Sequence, residues 1–164
     1  MNGFMTAAAF AAMAMLAGAA LAHGDAKPGK KVARAPSADE HAFGREGEPK
    51  KASRTVRIDM SDKMRFSPDR LSVRQGETVK FIVRNSGKTM HELVIGSMKE
   101  LKAHAELMRK HPGMEHEEPY MAHVAPGKAG TLVWQFTKAG EFHFGCLIPG
   151  HFEAGMFGTI VVNP

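Results

Sequence analysis

The sequence predicts an all-β domain over residues 54–164, an antiparallel sandwich or barrel, on three observations. Short runs alternate apolar and polar residues from Arg54 onward, Gly, Pro and Asn separate the runs, and only one stretch carries helix signals. Many short strands joined by turn residues are the mark of sandwiches and barrels.

The elements follow in order. Val56, Ile58 and Met60 alternate with Arg57 and Asp59, giving a strand with one apolar face. Leu71 and Val73 come after Pro68, and Gln75-Gly76-Glu77 makes a turn. Thr78 to Asn85 sets Val79, Phe81 and Val83 against Lys80 and Arg84, and Met90 to Ile95 is the next apolar run. The helix begins at Ser97-Met98-Lys99-Glu100, a capping box with Ser97 as N-cap and Glu100 at its third helical position. Leu101 to Lys110 are good helix formers, and Pro112-Gly113 stops them. Leu132 to Phe136 and Glu141 to Cys146 are strands, with Ala139-Gly140 turning between them, and Gly158 to Val162 is the last strand.

Two segments precede this domain. Residues 1–22 are nearly all small or apolar, contain no acid and end in Ala20-Leu21-Ala22, which fits a cleaved signal peptide leading to the periplasm and a mature chain starting at His23. The segment departs from the usual leader in having no Lys or Arg ahead of its apolar run. That run is short for a bilayer span, which takes about 20 residues, so no membrane attachment is expected after cleavage. Residues 23–53 are rich in Lys, Gly, Pro, Ala and Glu and poor in large apolar side chains, which predicts a disordered linker in which His41 is solvated. The net charge of +5 is too mild for a nucleic-acid reader, which would carry a basic stripe with interleaved aromatics. At most it orients an acidic partner.

Cys146 is the only cysteine. Structural cysteines of exported proteins come in pairs, so a lone one with other donors nearby reads as a metal ligand. Cys146, His151 and Met156 recur at five-residue steps, and His91 lies far upstream behind Thr89-Met90. Two His, one Cys and a weak axial Met are the ligand set of a blue-copper electron-transfer site. Strand periodicity puts Phe142, Phe144 and Cys146 on one face and His143 on the other, and groups His91 with Leu93 and Ile95. Pro149-Gly150 then turns His151 back, and Gly155 lets the chain bend before Met156. Taken singly, a buried Cys is a small hydrophobe and a buried His or Met is core; it is the joint spacing that points to a metal.

With these residues the chain resembles the cupredoxins, the plastocyanin–azurin superfamily, over residues 54–162. Its Met/His-rich insertion resembles that of the periplasmic copper-tolerance cupredoxins of bacteria. The resemblance implies a Greek-key cupredoxin sandwich with one inserted helix and a Met/His-rich loop, and one type 1 copper at one end. It implies His91, Cys146 and His151 as equatorial ligands, Met156 as the axial one, and one-electron exchange with a redox partner protein. One departure is Glu92, where many cupredoxins have Asn or Ser beside the first His. Leu147 after the cysteine excludes a multicopper oxidase, whose blue site passes electrons through a His there, and the lack of a second Cys excludes a binuclear copper centre.

A second metal region is a candidate. His104, Met108, His111, Met114, His116, Met121 and His123 lie close in sequence, with Met98 before them and Glu115, Glu117 and Glu118 among them. His104, Met108 and His111 fall on one helix face. Thioether and imidazole suit Cu(I) and Cu(II) in turn. The plainer alternative is an amphipathic helix with Met108 in the core and its His solvated. His23 at a cleaved N-terminus is a third candidate, chelating Cu(II) through amine and imidazole. Three functions follow: a periplasmic type 1 copper protein transferring electrons in copper tolerance; a non-redox copper buffer or chaperone working through the Met/His segment; and an enzyme. A Cys-His hydrolase needs a thiolate activated by a base, whereas Cys146 projects from an apolar face, so no catalytic residues are expected. Oxidation of Cu(I) is compatible with the first function.

Overall fold

The computed structural model describes residues 36–112, 114 and 116–164. The expectations for residues 1–22, His23, Gly113 and Glu115 lie outside them. Along the chain come β1 (Glu40–His41), β2 (Gly44–Glu46), a short 3-10 turn (Pro49–Lys51), β3 (Arg54–Ser61), β4 (Arg65–Ser67), β5 (Arg70–Arg74), β6 (Thr78–Asn85) and β7 (His91–Gly96). Helix α1 (Met98–Lys110) follows, then β8 (Met121–Val124), β9 (Ala129–Gln135), β10 (Gly140–Gly145) and β11 (Phe157–Asn163).

The strands form two sheets, a six-stranded one in the order β1-β2-β9-β6-β3-β4 and a five-stranded one in the order β5-β11-β10-β7-β8. The all-β sandwich with one helix is therefore as expected. It is not wholly antiparallel: β3 pairs with β6, and β5 with β11, in parallel register. Between β3 and β6 the chain visits the other sheet as β5, and a crossover of that length is what a parallel pair requires.

Apolar positions two apart on β3, β6, β9, β10 and β11 meet between the sheets, with Trp134, Phe81, Phe136, Phe144 and Ile160 fully buried. Every residue of β7 is buried, because its outer face is also covered. Val94 packs there with Leu101, Ala105 and Met108 of α1 and with Leu147 and Phe152. Ser97 accepts a hydrogen bond from the Glu100 amide and Glu100 caps the Ser97 amide in return, so the expected capping box fixes where the helix starts. Burying one such side chain as Leu101 contributes about 1.5–3 kcal/mol, which holds α1 on the sheet.

The disordered linker expected for residues 23–53 is corrected within the described residues. β2 adds to the edge of β9, pairing Arg45 with Gln135 and Glu46 with Trp134. Phe43 is only 3% exposed, stacks on Trp134 at 5.3 Å, and its carbonyl accepts the indole N–H at 2.8 Å. Gly44 makes the approach possible, since a Cβ there would meet the Gln135 carbonyl oxygen at 2.0 Å. Nor is His41 solvated: its ring lies 5.1 Å from Phe43 and 5.0 Å from Tyr120. One aromatic side chain and a sheet edge suffice to order a segment whose composition is otherwise that of a linker.

Candidate metal centre

β7 and β10 are antiparallel neighbours, so the start of one and the end of the other lie at the same end of the sandwich. That places His91 beside Cys146. From Cys146 the chain leaves the sheet in a hairpin loop and returns at Phe157, opposite Gly145. The loop is bonded to itself: the Cys146 amide donates to the Met156 carbonyl at 3.0 Å, the Met156 amide to the His151 carbonyl at 3.0 Å, and the His151 amide to the Ile148 carbonyl at 2.9 Å. Gly150 and Gly155 sit at φ of 88° and 89°, the left-handed region that glycine enters without strain.

His91 Nδ1 lies 4.0 Å and His151 Nδ1 3.3 Å from Cys146 Sγ. One ligand atom from each of the three residues lies within 4.8 Å of the others. Bonds of about 2.3 Å to thiolate and about 2.0 Å to imidazole, as on zinc, would separate S and N by about 3.7 Å around a trigonal ion. The two separations bracket that value, so these side chains fit a metal. Met156, which closes the same loop, is fully buried. Burial pushes the Cys146 thiol up to about 12, the reverse of an activated nucleophile. Burial, with His91 close by, also lowers the pKa of His151.

Two carboxylates flank the trio. Glu92, 3% exposed, donates its amide to Cys146 Sγ at 3.5 Å. Its side chain accepts the Leu147 amide at 2.8 Å and contacts His123 Nε2 at 2.8 Å. Asp62, in the turn between β3 and β4, lies 3.1 Å from His91 Nε2. The Lys88 amide, Thr89 and His91 hold its carboxyl well below the usual carboxylate range. Nothing in the sequence marks Asp62, which is brought to His91 by the pairing of β3 with β6. Glu92 was visible only as a departure from a pattern.

The second region is partly assembled. The rings of His104 and His116 lie 4.7 Å apart, and His116 Nδ1 is buried without a hydrogen-bond partner among the described residues. Burial and then the nearby His116 lower the pKa of His104. Met114 and His116 share a pocket wall with His123 and Met108. Met108 and Met121, however, are buried in the apolar cluster under α1, while His111 is exposed at the C-cap. Helical spacing put His104, Met108 and His111 on one face, and packing has turned the middle one inward.

Among known proteins, residues 52–163 match the family model "Copper binding proteins, plastocyanin/azurin family". The chain is 54% identical over 86% of its length to the copper-resistant cuproprotein CopI of Rubrivivax gelatinosus, covering 83% of that protein. It is 34% identical over 80% of its length to the protein of the same name from Pseudomonas aeruginosa, covering 88% of it. The fold resembles the dithionite-reduced auracyanin of Roseiflexus castenholzii, with a TM-score of 0.60, 21% identity, and coverage of 69% of this chain and 99% of that one.

Proposed function

Because this chain belongs to the plastocyanin/azurin family of copper-binding proteins and takes copper as its cofactor, we propose that His91, Cys146, His151 and Met156 hold one type 1 copper, through which it passes single electrons as an exported protein of copper tolerance. The observation that carries the reading is one thiol and two imidazoles with ligand atoms within 4.8 Å, closed over by a loop that also contributes a buried thioether. Bound there, copper supplies one-electron chemistry between Cu(I) and Cu(II). The chain does the rest. Cys146 gives up its proton to become a ligand, the two imidazoles present Nδ1, and the self-bonded loop keeps the donors in place in either oxidation state. His151 is only half-buried and forms the edge at which a redox partner would exchange electrons. The tolerance role is supported by the names of the relatives, and export to the periplasm by the apolar leader of residues 1–22. No helix among the described residues is long and apolar enough to cross a membrane.

The test is the optical and paramagnetic spectrum of the copper-loaded, processed protein. Intense thiolate-to-copper absorption that disappears in Cys146→Ser is expected; a colourless Cu(II) complex, or one indifferent to that substitution, rejects the proposal. A second reading, copper buffering by the Met/His segment, is favoured by one observation, the unpartnered buried Nδ1 of His116 beside His104. It expects more than one copper per chain, falling by one in His104→Ala with His116→Ala; unchanged stoichiometry rejects it. His23 would be a further Cu(II) chelate in the processed chain.

A further inference from the structure

We propose that Asp62 is a positioning residue of the metal centre, a carboxylate that fixes the His91 ring and biases the bound copper toward Cu(II); the proposal rests on the ligand assignment above. His91 is fully buried, with Nδ1 turned to Cys146 Sγ and Nε2 facing Asp62 Oδ1 at 3.1 Å. A buried imidazole N–H requires an acceptor, and here the acceptor is an ion. A carboxylate on the far nitrogen of a ligating histidine fixes its tautomer and makes the ligating nitrogen more basic.

Asp62 is itself held from several sides. Its Oδ2 accepts the Lys88 amide at 2.7 Å, and its Oδ1 accepts the Thr89 amide at 3.3 Å and the Thr89 hydroxyl at 2.9 Å. One carboxylate thus binds both the ring of His91 and the loop that delivers it. Asn85 braces that loop from the other side, donating to the carbonyls of Thr89 and Val124 at 2.8 Å each and accepting the Gly87 amide at 2.9 Å. Gly87 provides the space: a Cβ there would lie 2.1 Å from Asp62 Oδ1 and 2.8 Å from its Cγ. Any side chain at position 87 would push the carboxylate off His91. The turn is built around the acid.

A fixed negative charge against a ligand ring, and a more basic ligand, both favour the more highly charged ion. Loss of such a partner commonly costs 10–100-fold in metal affinity. Asp62 is part-exposed, so water screens its charge and the lower end is expected. Asp62→Asn keeps the shape and one oxygen acceptor but removes the charge. The affinity ratio of Cu(II) to Cu(I) should fall about tenfold, read as a rise of about 59 mV in midpoint potential. Gly87→Ala, which keeps the acid but displaces it, should move the ratio the same way. It should also cost the nitrogen resonances of His91 in metal-free protein their Nε2–H signature, which Asp62→Asn, with its oxygen acceptor in place, should retain. Asp59→Asn, whose carboxylate bonds Ser86 instead, should leave the ratio alone. A wild-type ratio in Asp62→Asn or Gly87→Ala, on a centre that retains its thiolate-to-copper absorption, overturns the proposal. Absence of that absorption from the unaltered protein would overturn the ligand assignment instead.

Discussion

Copper loading should expel one proton from Cys146 even in mildly alkaline solution, and the count of protons tests how the site is built. The thiol is wholly inside the fold, and burial raises it from an ordinary 9.0 to about 12. At pH 7 the thiolate is then disfavoured by about 5 pKa units, or about 7 kcal/mol, which metal binding must overcome. His151 is held below its ordinary value by burial, so its imidazole is neutral above pH 7.5 and adds no proton. Copper affinity should therefore rise about tenfold per pH unit between roughly pH 7.5 and 9. The sign for the metal-free protein runs the other way. A raised folded pKa stabilises the fold fully below the unfolded value of 9.0, and that contribution drains away as pH climbs toward about 12. Calorimetric titration of Cu(I) in buffers of different ionisation enthalpy counts the protons directly. At pH 9 the buried thiol should release a whole proton per copper, whereas one with its ordinary pKa would release about half. Half a proton or less at pH 9, or a release that survives in Cys146→Ser, would refute the reasoning.

Phe43→Ala should destabilise the domain by about 3 kcal/mol, the lower end for a buried aromatic, because it removes the ring on Trp134 and unseats β2; a chemical melt with less than about 1 kcal/mol of loss would return residues 36–53 to the status of a linker. Glu92→Ala leaves the buried Leu147 amide without its acceptor, at a cost of about 1–3 kcal/mol. Since that amide adjoins Cys146, the thiolate-to-copper band should shift as well, and an unchanged spectrum would show that Glu92 does not brace the loop.

The buried faces of most strands, and the spacing that pointed to His91, Cys146 and His151 as one group, were legible because strand periodicity is local. Phe142, Phe144 and Cys146 needed only the alternation of one strand, and the capping box needed only four consecutive residues. What escaped was set by packing between distant segments. β7 has no polar face because α1 covers it, and only the assembled fold shows that cover. Asp62 meets His91 across 29 residues of sequence. Phe43 belongs to the core because an edge of β9 was left open to it, and composition averaged over its neighbours hides a single anchoring ring. Helical spacing grouped Met108 with His104 and His111, but which face of α1 turned inward depended on Leu101 and Ala105.

The loop from Cys146 to Met156 explains why three of the four proposed ligands come from so short a stretch. A free loop that long would have to lose chain entropy each time it gathered its donors. Here hydrogen bonds from Cys146 to Met156, Met156 to His151 and His151 to Ile148 close it without a metal, and Arg65 ties it to β4 by donating to the Ala154 carbonyl at 2.9 Å. Phe152 lies over Gly145, where a Cβ would stand 2.9 Å from its ring, so the loop is also packed down on the strand it left. His91 arrives from the other direction, on a strand buried on both faces and with its ring held by Asp62. Donors fixed from separate elements, by bonds that do not involve the ion, have little freedom to follow either oxidation state. That rigidity is the property the proposed one-electron function requires, and it is built by backbone hydrogen bonds and two carboxylates.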